Sequence, residues 1–169
     1  MGPVKSKQLV DNIINMQEEL LKRGASILLE SKRIPELGEA FVTPGIIDVT
    51  NVKDKIDEEL IGPFLQVTRV NTFDEALEKA NDSCYGLAAG IITEDKELYN
   101  EFERKIQTGL LTWNKPIKAD RFSPFGGIKD SGNYRPSSFL SADFTVYSTA
   151  AVEIENVPEV TKLPKGIKL

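Results

Sequence analysis

The chain has 169 residues, of which 40% are hydrophobic and 28% charged, a composition typical of one globular domain. Its net charge of −5 gives no general attraction for nucleic acid or anionic lipid, so neither partner is expected. The chain has no histidine, which excludes a histidine-dependent triad and the usual zinc sites, and no metal site is predicted. A single cysteine and the absence of a long apolar run favour a cytoplasmic protein.

The predicted elements alternate between helices and strands. Apolar residues at helical spacing predict a helix over residues 5–23, followed by a short strand at 26–29 and extended chain at 41–50. A regular alternation then follows: strand 64–70, helix 72–81, strand 87–92, helix 95–107 and strand 110–113. This order predicts crossover connections, and hence an α/β fold with three layers (αβα) and a mainly parallel sheet.

The end of the chain differs from this alternating part. Residues 143–152 are a further extended run, and the charged, proline-containing segment from 154 to 169 has the composition of a tail. We therefore divide the chain into a domain over 1–142, a strand over 143–153 and a tail over 154–169.

Two adjacent carboxylates, Glu58 and Glu59, stand two residues before the turn Gly62-Pro63. A carboxylate has two oxygens that can accept hydrogen bonds from the two hydroxyls of a sugar diol, which makes this pair a candidate ligand site. The alternative is a solvated surface loop, because most surface carboxylates have no partner.

A second unusual segment runs from Trp113 to Pro136, WNKPIKADRFSPFGGIKDSGNYRP. Phe125 precedes two glycines, a lysine follows them, and Asn114 directly follows a predicted strand, at the sheet edge where ligands of parallel sheets gather. The alternative for Phe125 is a core aromatic beside a tight turn. No phosphate-binding glycine motif is present.

Besides the lysine of the glycine motif, four cations lie in this same segment: Lys115, Lys118, Arg121 and Arg135. Cations suit a substrate that carries a carboxylate, because they form charge-assisted hydrogen bonds with it. The alternative is a solvated loop balanced by the nearby acids.

The two motifs, EE-x-x-GP at 58–63 and PFGG-x-K-x-SG at 124–132, together resemble the carboxyl-terminal part of an aldehyde dehydrogenase. The resemblance implies NAD as cofactor, with Glu59 holding its nicotinamide-side ribose. It places Ile61, where the family usually has phenylalanine, near the nicotinamide, and Phe125 in the aldehyde tunnel. We therefore expect Glu59 and Phe125 to face one cavity.

Within the family, the sequence Ser131-Gly132-Asn133-Tyr134-Arg135-Pro136 resembles the succinylglutamate semialdehyde dehydrogenase subfamily, which acts in arginine catabolism. That resemblance implies a substrate site that includes Trp113, Asn114, Phe125, Arg121 and Arg135. The loop KPIKADRFS is bulkier and more basic here than in the subfamily, which leaves another semialdehyde as an alternative substrate.

The residues that would attack the aldehyde are not expected in this chain. Cys84 matches a family stretch away from the reacting carbon, so we assign no catalytic residue here. In the family, the nucleophile, the glutamate base and the dinucleotide-binding domain lie upstream of the matched part, so we expect a truncated dehydrogenase that is inactive alone. The alternative is a non-catalytic interaction module or pseudoenzyme. The resemblance implies a homodimer that pairs through residues 143–152.

Overall fold

The computed structural model describes residues 1–118, 122–132, 134–135, 137–138, 141–142, 145–153 and 155–156. Its helices are α1 (Lys7–Lys22), α2 (Phe73–Asn81) and α3 (Lys96–Lys105). The strands are β1 (Ser26–Leu29), β2 (Gly45–Asp48), β3 (Phe64–Val67), β4 (Tyr85–Gly86), β5 (Ala88–Ile91), β6 (Leu110–Trp113) and β7 (Ile128–Lys129). A short 3-10 helix spans Pro35–Leu37.

Helix α1 supplies much of the buried core. Ser6 caps its amino terminus by accepting a hydrogen bond from the Leu9 N–H at 3.4 Å. Val10, Ile13 and Leu20 recur at helical spacing and are fully or almost fully buried. Gly24 follows the helix with a φ of 94°, the left-handed conformation that ends many helices.

The first sheet packs against this helix. Strand β2 pairs antiparallel with β1 and parallel with β3. Phe64 at the start of β3 packs against the core formed by Val10, Ile13 and Val42. Ile13 also lies so close to Gly62 that a Cβ at that glycine would stand 2.4 Å from its Cδ1 atom. The turn Gly62-Pro63 is therefore fixed to the helix by close packing.

The remaining strands form two small ladders. Strand β5 pairs parallel with β6, and the two-residue strands β4 and β7 pair antiparallel. Helix α2 begins at the cap Thr72, whose side chain accepts from the Glu75 N–H, and buries Leu77. Helix α3 begins at the cap Asp95 and buries Phe102.

The α/β class and the parallel strands are confirmed. Each predicted helix and each of the predicted strands over 26–29, 64–70, 87–92 and 110–113 has a counterpart, displaced at its ends by a few residues at most. The pairing differs from a single continuous sheet, because the described strands form three separate sheets. Strand β3 is bonded to β2, and strand β5 to β6, so the crossover through α2 does not join hydrogen-bonded neighbours.

The end of the chain carries no strand where it is described. Residues 145–153 have no regular secondary structure, and all are exposed. The predicted strand over 143–153 would pair with another chain, so it stays a prediction. Most of the proposed tail over 154–169 lies outside the described residues. In the part of the chain that the structure covers, no helix has the length and apolar character needed to cross a bilayer.

Candidate functional site

The carboxylates Glu58 and Glu59 lie in a segment without regular secondary structure, residues 55–60. They open into a cavity of about 400 Å³ between this segment and helix α1. Its lining residues are Asn12, Asn15, Met16, Glu19, Arg23, Ile56, Glu58, Glu59 and Leu60. Carboxylates and side-chain amides are groups that hydrogen-bond sugar hydroxyls, so the composition of this cavity fits a ribose.

The other predicted cofactor residue, Ile61, is 59% exposed and does not line this cavity. It follows Leu60, which is partly buried against the core cluster of α1. Ile61 therefore stands at the surface beside the cavity.

Asp57, which directly precedes the two glutamates, fixes this segment to the turn that ends at β4. Its Oδ1 atom accepts a hydrogen bond from the Ser83 hydroxyl at 2.8 Å, and its Oδ2 atom accepts from the Cys84 N–H at 2.5 Å. These bonds, the Cys84 bond foremost, hold the pKa of the Asp57 carboxyl below its usual value. The carboxylate is therefore ionised at neutral pH, and each of its oxygens accepts a hydrogen bond.

The glycine motif is fixed to the same turn from another direction. Lys129 donates from Nζ to the carbonyl oxygens of Asn81 at 2.8 Å and Ser83 at 2.9 Å. The Asp130 N–H donates to the Cys84 carbonyl at 2.9 Å, and the Ser131 hydroxyl accepts from the Gly86 N–H at 3.0 Å. The turn over residues 81–86, which we call the anchor turn, thus contacts the glycine motif and, through Asp57, the segment that carries Glu58 and Glu59.

Close backbone packing explains the glycines of this motif. A Cβ at Gly126 would stand 1.9 Å from the Tyr134 carbonyl oxygen, and one at Gly109 would stand 1.7 Å from the Gly126 carbonyl oxygen. Only glycine permits such an approach. The backbone at Gly126 is therefore in direct contact with the backbone at Gly109 and at Tyr134.

Phe125 is half-buried beside these glycines, and its N–H donates to the Ser137 hydroxyl at 2.9 Å. It does not line the cavity that contains Glu59. The described residues therefore do not bring Glu59 and Phe125 into that one cavity, contrary to the expectation of a shared cavity there. The connection between the two motifs that they do show is indirect, through the anchor turn.

Trp113 and Asn114 close the end of strand β6 on the loop after β5. The Trp113 Nε1 and the Asn114 Nδ2 both donate to the Thr93 carbonyl, at 2.9 Å and 2.7 Å. The Trp113 ring stacks on Tyr99 with centroids 4.4 Å apart, and the Lys96 ammonium lies 4.4 Å from the Trp113 centroid. The polar groups of both predicted substrate residues are thus engaged within the protein.

The predicted cations have different surroundings. Arg135 donates from Nη1 to the carbonyl oxygens of Gly127 at 2.8 Å and Tyr134 at 3.3 Å, so it ties the glycine motif internally. Lys115 lines a shallow cavity with Asn114 and Pro116, and Lys118 is exposed. Arg121 lies outside the described residues.

The sequence of this chain matches a known protein family. The family model described as "Aldehyde dehydrogenase family" matches residues 1–149. The chain belongs to the aldehyde dehydrogenase family. The resemblance carried by the two motifs is thereby confirmed.

Curated relatives within the aldehyde dehydrogenase family match this chain over its whole length. A protein of Hahella chejuensis named N-succinylglutamate 5-semialdehyde dehydrogenase is 41% identical over 100% of this chain and 34% of its own length. The protein of the same name from Paraburkholderia xenovorans is 42% identical over 99% of this chain and 34% of its own length. This chain thus spans 34% of the length of these relatives.

Solved aldehyde dehydrogenases share the fold. An indole-3-acetaldehyde dehydrogenase of P. syringae, solved with NAD⁺, gives a TM-score of 0.77 at 31% identity, covering 85% of this chain and 29% of that one. A succinate-semialdehyde dehydrogenase from Burkholderia pseudomallei gives 0.73 at 27% identity, with 83% and 29% covered.

Cys84 has the environment of a structural cysteine and not that of a nucleophile. The hydrogen bond between its thiol and Asp57, then burial, raises the pKa of Cys84 above its usual value. A thiol with a raised pKa is protonated at neutral pH and is a weak nucleophile. Its N–H and carbonyl serve instead to bind Asp57 and Asp130.

Asp57 and Ser83 were not predicted from the sequence of this member of the aldehyde dehydrogenase family. Asp57 adjoins the Glu58–Glu59 pair, and that adjacency was the only signal. The partners lie 26 and 27 residues away in sequence, where no periodic pattern links them.

Proposed function

We propose that this chain is the carboxyl-terminal portion of a cytoplasmic, NAD-dependent N-succinylglutamate 5-semialdehyde dehydrogenase of arginine catabolism. The reaction converts the aldehyde, NAD⁺ and water to the carboxylate, NADH and two protons. The observation that carries the proposal is the match of the whole chain to relatives of that name at 41% and 42% identity.

Glu59 is assigned to the nicotinamide-side ribose of NAD, and Ile61 to the apolar surroundings of the nicotinamide. The assignment is supported by the cavity that Glu58 and Glu59 line with the amides of Asn12 and Asn15. The carboxylate would accept hydrogen bonds from both ribose hydroxyls and so orient the cofactor. NAD itself supplies the hydride acceptor.

Phe125, Trp113, Asn114, Arg121 and Arg135 are assigned to the aldehyde substrate. Half-buried apolar surface at Phe125 suits the exclusion of water from the reacting carbonyl. Arg121 and Arg135 suit the carboxylates of a succinylglutamate group, because guanidinium pairs with carboxylate in a bidentate fashion. Arg135 already gives one nitrogen to backbone carbonyls, so its other N–H groups would contact the substrate.

The nucleophile and general base of the reaction are assigned to residues outside this chain, which alone would have no dehydrogenase activity. The backbone bonds of Cys84 to Asp57 and Asp130, together with the raised pKa of its thiol, support this assignment. An assay of the purified chain with NAD and N-succinylglutamate 5-semialdehyde tests it. NADH formation above background that is abolished by Cys84→Ala would contradict both the truncated-enzyme interpretation and the structural role of that cysteine.

The segment 143–152 is assigned to homodimer formation. Val146 and Tyr147 are 67% and 89% exposed, as an unpaired strand awaiting a second copy would be. A non-catalytic interaction fragment would use the same segment. Size-exclusion chromatography of the chain, and of a variant ending at residue 142, measures this role directly.

A chimeric enzyme tests the substrate class. The part of the Hahella chejuensis relative that precedes the matched region is joined to this chain, and NADH formation is followed with N-succinylglutamate 5-semialdehyde and with succinate semialdehyde. A higher kcat/KM for the succinylglutamate compound supports the proposal. A folded chimera that binds NAD but oxidises neither aldehyde would overturn it, and a preference for succinate semialdehyde would favour the other semialdehyde.

A further inference from the structure

The segment that carries Glu59 has no backbone framework of its own. Within the described chain, none of the residues 53–61 takes part in a backbone–backbone hydrogen bond. No helix or strand includes these residues either. A carboxylate that orients a ligand needs a fixed backbone. Because secondary structure does not fix this segment, side-chain contacts have to hold it.

Asp57 supplies such a contact, beside an interaction between the Tyr85 side chain and the Glu59 backbone. Its two carboxylate oxygens bind the Ser83 hydroxyl at 2.8 Å and the Cys84 N–H at 2.5 Å. The Cys84 thiol lies 3.9 Å from the Asp57 carbonyl oxygen, which adds a contact to the backbone of the same residue. Asp57 does not line the cavity of Glu59, so it has no direct contact with a ligand bound there.

The anchor turn, to which Asp57 binds, is itself fixed by other contacts. Lys129 binds the Ser83 carbonyl at 2.9 Å, the Asp130 N–H binds the Cys84 carbonyl at 2.9 Å, and β4 pairs with β7 directly afterwards. Asp57 therefore fixes its segment to a turn held on the opposite side by the glycine motif. A hydrogen bond from Lys55 Nζ to the Asp82 carbonyl oxygen joins the same two segments.

We propose that Asp57 is a positioning residue, which holds Glu59 in place for the cofactor by binding the anchor turn through Ser83 and Cys84. The inference rests on the proposed function for its consequence, namely cofactor binding by Glu59. Its mechanical part, the order of residues 56–60, is independent of any ligand.

The mechanical part is tested in this chain by NMR order parameters of the backbone amides, which fall where the backbone gains motion. Asp57→Ala removes both acceptors and is expected to lower the order parameters of residues 56–60. It is also expected to raise hydrogen exchange about tenfold at the Cys84 amide, which donates to Asp57. The matched control is Asp54→Ala, since the Asp54 carboxylate has no hydrogen bond or ion pair among the described residues. Unchanged order parameters at residues 56–60 in Asp57→Ala would overturn the proposal. Should that variant fail to fold, Ser83→Ala, with a smaller expected fall, decides instead.

The consequence for the cofactor is tested in the chimeric enzyme. Asp57→Ala is expected to raise the KM for NAD about tenfold with little change in kcat, because a displaced Glu59 weakens binding rather than chemistry. Asp57→Asn keeps an acceptor for the Cys84 N–H, so it is expected to recover most of the affinity. A fall in kcat alone would indicate a merely structural role, and an Asn variant as weak as Ala would indicate a charge effect, and either result would contradict the proposal. An inactive parent chimera would count against the proposed function, while the NMR experiment on this chain still decides the role of Asp57.

Discussion

Lys129 and Ser83 are joined by a hydrogen bond of 2.9 Å from the lysine ammonium to the serine carbonyl, although the two residues lie 46 positions apart. Ser83 also donates its hydroxyl to Asp57 at 2.8 Å. One residue of the anchor turn therefore contacts the glycine motif through its backbone and the glutamate segment through its side chain. The spatial relation between the two motifs depends on this turn.

Replacing Lys129 with methionine is expected to destabilise the fold by about 1 kcal/mol, because the charged donor binds two carbonyls at a solvent-exposed position. Urea unfolding followed by circular dichroism measures the change. Lys118→Met is the control, since Lys118 is exposed and has no hydrogen bond or ion pair among the described residues. Equal midpoints for the two variants would show that the Lys129 bonds contribute nothing.

Gly109→Ala is expected to be severely destabilising, by more than about 3 kcal/mol, because the added Cβ would meet backbone rather than a movable side chain. A Cβ atom at residue 109 would lie 1.7 Å from the Gly126 carbonyl oxygen and 2.8 Å from the Gly126 carbonyl carbon. Gly2→Ala is a matched control with no atom within 4 Å. Thermal unfolding of both variants checks the prediction, and a Gly109→Ala midpoint near that of the control would refute the close packing.

Thr112→Val is expected to stabilise the protein by about 1 kcal/mol. The Thr112 side chain is 3% exposed, and its hydroxyl oxygen has no hydrogen-bond partner among the described residues. Valine has nearly the same shape and removes the desolvated hydroxyl. Thr68→Val at an exposed position is the control, and a destabilised Thr112→Val would mean that the hydroxyl has a partner in the folded protein.

Asp48 makes the stability of the fold depend on acid. Hydrogen bonds from the Thr50 hydroxyl, the Thr50 N–H and the Arg69 side chain lower the Asp48 pKa from its ordinary value of 3.8 to about 2. Because the folded-state pKa is the lower one, the stabilisation is complete above pH 3.8 and is lost as pH falls toward 2. Asp48→Asn is therefore expected to flatten the fall of the urea midpoint between these two pH values. An unchanged slope in that variant would show that other carboxylates account for the acid sensitivity.

Local sequence signals predicted the helices because those depend on neighbouring residues. Thr72 and Glu75 have capping spacing, and the Glu75 N–H indeed donates to the Thr72 hydroxyl at 3.2 Å. The Glu75 carboxylate, however, accepts from the Asn71 N–H at 3.0 Å rather than from the cap residue. Capping patterns therefore specify where a helix begins more closely than which donor the glutamate accepts from.

Contacts between distant residues escaped prediction. The two-residue strands β4 and β7 are too short for any alternation of apolar and polar residues, and they form only because Tyr85 and Lys129 are brought together by the fold. Asn114 was selected for its place after a strand and Trp113 through the subfamily resemblance, but the sequence could not show that Thr93 engages both. Motif resemblance identified the family, whereas the contacts of individual residues required coordinates.

The most direct measurement of the central claim is the KM for NAD of the chimeric enzyme with Glu59→Gln. The account predicts a rise of about tenfold or more, because an amide accepts fewer and weaker hydrogen bonds from a ribose diol than a carboxylate does. Glu36→Gln, an exposed carboxylate with no hydrogen bond or ion pair among the described residues, should leave the KM unchanged. An active chimera whose KM for NAD is the same with and without the Glu59 carboxylate would contradict the account.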